Sequence, residues 1–183
     1  SESYGTDMYL SSMWLVENNI FHHITSAMQC ESGVGGVEAY NYVFDGFFNE
    51  TNPEWFQGSS YTHGACAYIL REGNIGQGFI QDVVHAPNYF HTALRNRWYG
   101  QQNDNFGNPQ SLQTVAVHIY APNRYNNILG NVLGTTGYHT KYEAYPASAA
   151  DCDTSVFALG FGGNCGNGTV DNAADVRTSL LRW

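Results

Sequence analysis

Five asparagines set the frame of this chain of 183 residues: Asn19, Asn41, Asn74, Asn96 and Asn131, in the segments Val16–Phe21, Ala39–Phe44, Arg71–Gly76, Leu94–Tyr99 and Leu129–Gly134. Each is flanked by apolar, aromatic or glycine positions. The intervals are 22, 33, 22 and 35 residues, so two are equal and the others exceed them by 11 and 13. A period of about 22 residues suits a coil of three short strands and three turns, stacked so that each strand pairs in parallel with its copy ~4.8 Å away. Asparagine suits such a turn because its short amide tolerates left-handed backbone geometry, and stacked amides bond one another in a file. A second column fixes the same register: His85-Ala-Pro-Asn88 and Tyr120-Ala-Pro-Asn123 lie 35 residues apart, the interval from Asn96 to Asn131.

Composition supports strands over helices. Gly (20) and Tyr (13) are abundant, and the one stretch with helical patterning is Thr169 to Arg182. The reading is an all-β solenoid, a parallel β-helix with two inserted loops, in a single domain over 1–183. Its repeat region covers about 13–133, and 134–183 is an irregular C-terminal part. With 7 Lys+Arg against 16 Asp+Glu, net charge −9, no basic surface exists to displace the counterions of a nucleic acid. No run approaches the ~18 apolar residues of a membrane helix. Ser1 to Tyr9 lacks the basic start and apolar core of a secretion signal, and Val176 to Trp183 is apolar-rich; both suit a fragment of a longer protein.

The phrases His63-Gly-Ala-Cys-Ala-Tyr68, Arg71-Glu-Gly-Asn-Ile-Gly76, Asp82-Val-Val-His85 and Leu94-Arg-Asn-Arg97 resemble the pectin-lyase-like superfamily, in particular its poorly characterised bacterial β-helix proteins. The resemblance spans about Met13 to Leu133 and extends more weakly to Phe157–Gly163 and Val176–Arg182. It implies a right-handed parallel β-helix, secreted or at the cell surface, acting on a polysaccharide or oligosaccharide as a lyase or glycoside hydrolase. The alternative it leaves open is a non-catalytic module: carbohydrate-binding, adhesive, or structural, associating end to end with another copy or with further parts of its own chain.

The excess residues must leave the coil as loops, at Asn49–Thr62 and Gly100–Gln113, expected on one side as the walls of a groove. The first carries Trp55, Phe56 and Tyr61 with Glu50 and Glu54; the second carries Asp104 and Phe106. Exposed aromatics beside amides and carboxylates suit sugar rings, with Trp55, Tyr61 and Tyr120 as substrate-binding candidates. Eleven residues before the ladder asparagines stand Cys30, His63, His85 and Tyr120, so His63 and His85 are expected as vertical neighbours. Asp82, His85, His118 and His63 are the acid/base candidates, and Arg95 and Arg97 offer a clamp for a carboxylated sugar. The bland alternative is a set of polar ladders that only brace stacked turns.

Other motifs are sparse. No Gly-His-Gly segment accompanies Asp151 and Asp153, and an acidic chain disfavours a pectate cleft unless calcium bridges the charges; Asp45, Glu50 and Asp82 are the candidate calcium oxygens. No CxxC or HExxH points to zinc, and no metal ligands are assigned. Alternation along a strand would send His22 and His23 to opposite faces. Cys152 and Cys165 suit a local disulfide, whereas Cys30 and Cys66, at offsets three apart, are expected as free, buried thiols. Asn49-Glu-Thr51 and Asn167-Gly-Thr169 fit the glycosylation triplet.

Overall fold

The computed structural model describes residues 3–48, 55–104, 107–165 and 172–183. Glu50, Glu54, Phe106 and both glycosylation triplets lie outside the described residues. The chain is mostly short strands in three parallel sheets, with few helices. Sheet 1 is ordered Tyr4–Tyr9, Ser26–Glu31, Ser60–Thr62, Phe79–Gln81, Val117–Ile119, Ser155–Leu159, Lys141–Ala144. Sheet 2 runs Leu15–Glu17, Val37–Ala39, Leu70–Glu72, Thr92–Leu94, Asn126–Leu129, Leu180–Arg182; sheet 3 runs Ile20–His22, Tyr42–Phe44, Ile75–Gly76, Arg97–Trp98, Val132–Leu133. From Tyr4 to Leu133 the chain visits sheets 1, 2 and 3 in rotation, an order compatible with a β-helix.

The asparagine file is real. Asn19 Nδ2 donates to Asn41 Oδ1 at 3.1 Å, Asn41 to Asn74 at 3.0 Å, Asn74 to Asn96 at 3.0 Å and Asn96 to Asn131 at 2.9 Å. Each backbone N–H of Asn19, Asn41, Asn74 and Asn96 donates to the same oxygen as its own side chain does. Asn88 and Asn123 repeat the motif at the corner after sheet 1, at 3.1 Å. The expected reason for asparagine is corrected, however. The left-handed residue is the one before each file member: Asn18, Tyr40, Gly73, Arg95 and Gly130, with φ of 55° to 66°. Asparagine is needed one position later, because its amide caps backbone groups that the turn takes out of the ladder.

Several expectations change with the register. The stretch after Leu133 is not irregular throughout: Ser155–Leu159 and Leu180–Arg182 extend sheets 1 and 2. Among the described residues α-helix covers Ala173–Thr178, and a 3-10 segment covers Pro146–Thr154. Cys30 and Cys66 are not free but form a disulfide, as do Cys152 and Cys165. The chain past Thr62 turns through Gly64 (φ 110°) and Ala65 (φ 56°), which carries Cys66 back over the inward-facing Cys30. His22 and His23 do not diverge, since His23 is left-handed at φ 57° and both rings reach Asp45 Oδ2, at 3.4 and 2.9 Å.

Inward side chains of sheet 1 such as Phe79, Val117 and Phe157 pack with Trp98, Ile128 and Val176, while Met28 packs with Phe21, Ala27 and Val43. Each such side chain removed from water contributes roughly 1.5–3 kcal/mol. The interior also holds charge: Arg71 Nε lies 3.0 Å from Glu38 Oε2, both fully buried. His91 accepts from Arg71 through Nδ1 (3.0 Å) and donates through Nε2 to the Cys66 carbonyl (3.0 Å). Burial, then the adjacent guanidinium, hold its pKa well below 6.5, so the ring is the neutral tautomer this pattern requires.

Candidate functional site

The outward face of sheet 1 gathers most of the candidate acid/base residues. Pairing of Thr62 with Gln81, and of Cys30 with Thr62, places Glu31, His63 and Asp82 in one file, with Tyr120 next because Gln81 pairs with Ile119. The neighbouring file is Gln29, Tyr61, Ile80 and His118. Asp82, only 2% exposed, accepts at Oδ2 from Tyr61 Oη (2.5 Å) and His63 Nδ1 (2.6 Å), and at Oδ1 from the Val84 amide (3.3 Å). One carboxylate oxygen therefore orients a phenol and an imidazole together. No hydrogen bond from the described residues occupies His63 Nε2.

Electrostatics follow from that placement. The hydrogen bond to Asp82 raises the His63 pKa above 6.5; burial opposes it, and the charges of Asp82, Glu31 and Asp7 add to it. Burial, then the Asp82 carboxylate, push the Tyr61 phenol well above 10, so it stays protonated. Burial, then Glu31, raise the Asp7 carboxyl, while His63 pulls it back. A cavity of about 570 Å³ opens over the centre, lined by Gln29, Tyr61, His63, Asp82, Tyr120 and Asn164 among others. Tyr120 Oη donates to Asn164 Oδ1 at 2.5 Å.

The two inserts meet beside this cavity. Trp55 forms a parallel bridge with Leu112, and Phe56 N–H donates to the Leu112 carbonyl at 2.9 Å. Trp55 lies 5.6 Å from Phe48 and, with Tyr61, Tyr120 and Asn164, lines a hollow contiguous with the main cavity. Phe56, expected at the surface, is buried at 1%.

The remaining candidates divide. His85 contacts His63 edge-on, ring centroids 4.6 Å apart, and lies 3.6 Å from Glu31 Oε1. It is a neighbour of His63 but not its register partner. Sheet 1 advances 19 residues here where sheets 2 and 3 advance 22, and the three extra residues bulge between Gln81 and Asn88. Arg95 pairs with Glu72 at 3.6 Å, and Arg97 donates to the Val132 and Gly134 carbonyls; neither lines the cavity. Asp45 and Asp82 stand in separate clusters, and among the described residues no three His, Cys, Asp or Glu side chains are grouped to hold a metal ion.

His118 is corrected as an acid/base group. It is 1% exposed under Tyr120 and Phe161, Nε2 has no hydrogen-bond partner among the described residues, and burial lowers its pKa to about 3. A histidine that protonates at about 3 when folded and at about 6.5 when unfolded stabilises fully above 6.5 and loses that contribution as pH falls toward 3. His118→Phe is expected to flatten the acid-side decline in unfolding free energy across this window. Urea titrations at pH 7 and pH 4.5 check this; an unchanged difference between the two would refute it.

Sequence reasoning missed Gln29, Glu31, Asp7 and Asn164. The first two were findable one strand before Tyr61 and His63; Asp7 precedes the first repeat and Asn164 sits in a glycine-rich stretch, where no period marks them. Comparison with protein-family models, curated proteins and solved structures returns no match. No helix among the described residues is long and apolar enough to cross a membrane, and the two disulfides are compatible with an extracellular protein.

Proposed function

We propose that this chain is a right-handed parallel β-helix of the pectin-lyase-like kind that works outside the cell as a glycoside hydrolase on a neutral polysaccharide. Handedness is supported by the rule that parallel strands joined by a crossover are connected right-handed. The observation that carries the activity is the His63–Asp82–Tyr61 constellation on an open groove. Asp7, Glu31 and Asp82 surround the imidazole, and the pocket presents amides and rings in place of cations. That field repels a uronate carboxylate and favours the positive charge of an oxocarbenium-like transition state. A neutral sugar has no acidified ring proton, so elimination is closed to it and cleavage is hydrolytic.

In this reading His63, held protonated by Asp82, donates the Nε2 proton to the glycosidic oxygen as the C1–O bond breaks. Glu31, its file neighbour, takes a proton from the water that adds at C1. Asp82 and Tyr61 position the imidazole. Assay of reducing ends on mixed-linkage β-glucan, xylan and galactomannan, with absorbance of unsaturated products on pectate and alginate as the contrast, tests the reading. New reducing ends on a neutral glycan are expected. Unsaturated product would return the lyase reading; retention on glycan without any cleavage would return the binding module, which the amide and aromatic lining alone would serve.

A further inference from the structure

A second file of side chains runs along the corner between sheets 1 and 2. Bridges join Ser12, Val34, Ala67, Tyr89 and Arg124 in order, and the residue after each is left-handed: Met13, Gly35, Tyr68, Phe90 and Tyr125, with φ of 56° to 74°. Bulky residues in that conformation cost roughly 1 kcal/mol or more each. Three of them nevertheless stack as near-coplanar rings: Tyr68 on Phe90 at 4.9 Å and 10°, Phe90 on Tyr125 at 5.2 Å and 8°. All three are exposed, at 61%, 42% and 55%.

The stack ends abruptly. Asn126 pairs with Leu180, so the residue below Tyr125 in the next layer is Ser179, too small to cover a ring. The outer face of Tyr125 therefore opens on a cavity of about 540 Å³, which Arg124, Asp175, Thr178, Ser179 and Leu181 help to line. Arg124 Nη2 and Asp175 Oδ2 lie 3.3 Å apart on its wall, with two hydroxyls beside them. An aromatic ring that shares a cavity with an Arg–Asp donor–acceptor pair and two hydroxyls, here donating to the Asp175 carbonyl and open as acceptors, suits the apolar face of a pyranose and its vicinal hydroxyls.

The geometry points to a second glycan-binding site at the Tyr125 end of the ring stack, separate from the His63 groove, holding a neutral sugar unit of the polysaccharide. It rests on the proposed function for its ligand class alone. Mixed-linkage β-glucan, xylan and galactomannan, each cast in a native gel, supply the probe. Retardation of the full chain is expected on at least one, with the apparent dissociation constant rising tenfold or more in Tyr125→Ala. Ser179→Tyr, which adds a ring to the stack and fills the cavity, is expected to do the same. Asp82→Asn is expected to lose cleavage and keep retardation, so failure of the hydrolase reading leaves this result standing. No retardation on any of the three glycans, or retardation that survives both Tyr125→Ala and Ser179→Tyr, overturns the site.

Discussion

Asp82→Asn is expected to lower kcat/KM on a cleaved glycan by about 10²–10⁴, the range that a positioned proton-transfer group contributes. The substitution keeps the side-chain shape but removes the charge that faces His63 Nδ1 at 2.6 Å and Tyr61 Oη at 2.5 Å. The informative readout is the pH profile. His63 acts in its protonated form, so activity falls as pH rises through its pKa, which the Asp82 hydrogen bond has lifted above 6.5. Without that bond the alkaline limb should move to lower pH, and His63→Ala should abolish the limb while leaving a small residual rate. The same shift has a stability sign. A histidine with a raised folded-state pKa stabilises fully below about 6.5, and that contribution disappears as pH rises through the higher folded value. An alkaline limb that stays in place in Asp82→Asn would remove His63 from the proton-donor role, whatever happens to the rate.

How far the sequence carried is clearest at His63. The asparagine interval identifies the layers, because a side chain that must cap backbone groups at one corner cannot drift without breaking four bonds per layer. From there the count put His63, His85 and Tyr120 in one column, with Asp82 three residues before His85. It then assigned His85 to the position that Asp82 holds, because spacing between corners cannot reveal a three-residue bulge compensated inside the same layer. The disulfide between Cys30 and Cys66 escaped for a different reason: Cys66 lies past a turn whose left-handed Ala65 no propensity scale anticipates. His118 shows another limit. Its sequence position gave its place in the sheet, but only the lid formed by Tyr120 and Phe161 turns it from an acid/base candidate into a sealed, neutral ring. Arg95 and Arg97 flank a file asparagine at a different corner, so proximity along the chain did not become proximity to the groove.

The largest stability effect is expected at the centre of the file. Asn74 is 1% exposed; its Oδ1 accepts from the Asn41 amide and Asn41 Nδ2, both at 3.0 Å. Its Nδ2 donates to the Glu38 carbonyl at 2.8 Å and to Asn96 Oδ1 at 3.0 Å. Asn74→Ala strips the Asn41 amide and one Asn41 side-chain hydrogen of partners and removes one donor from the Glu38 carbonyl, which stays within the strand ladder, while Asn96 Oδ1 keeps the Asn74 backbone N–H. At roughly 1–3 kcal/mol for each of the two orphaned buried donors, and allowing for partial relaxation, the expected loss is about 2–5 kcal/mol. Asn19→Ala provides the contrast. Asn19 is exposed at the end of the file, and Asn41 Oδ1 retains the Asn19 backbone donor when the side chain is gone, so about 0.5–1 kcal/mol is expected. Denaturant titrations of the two variants measure the ratio directly, and hydrogen exchange at the Asn41 amide should accelerate in Asn74→Ala but not in Asn19→Ala. Equal losses at the two positions would mean that each asparagine only shapes its own turn, and that the vertical bonds between layers contribute no net stability.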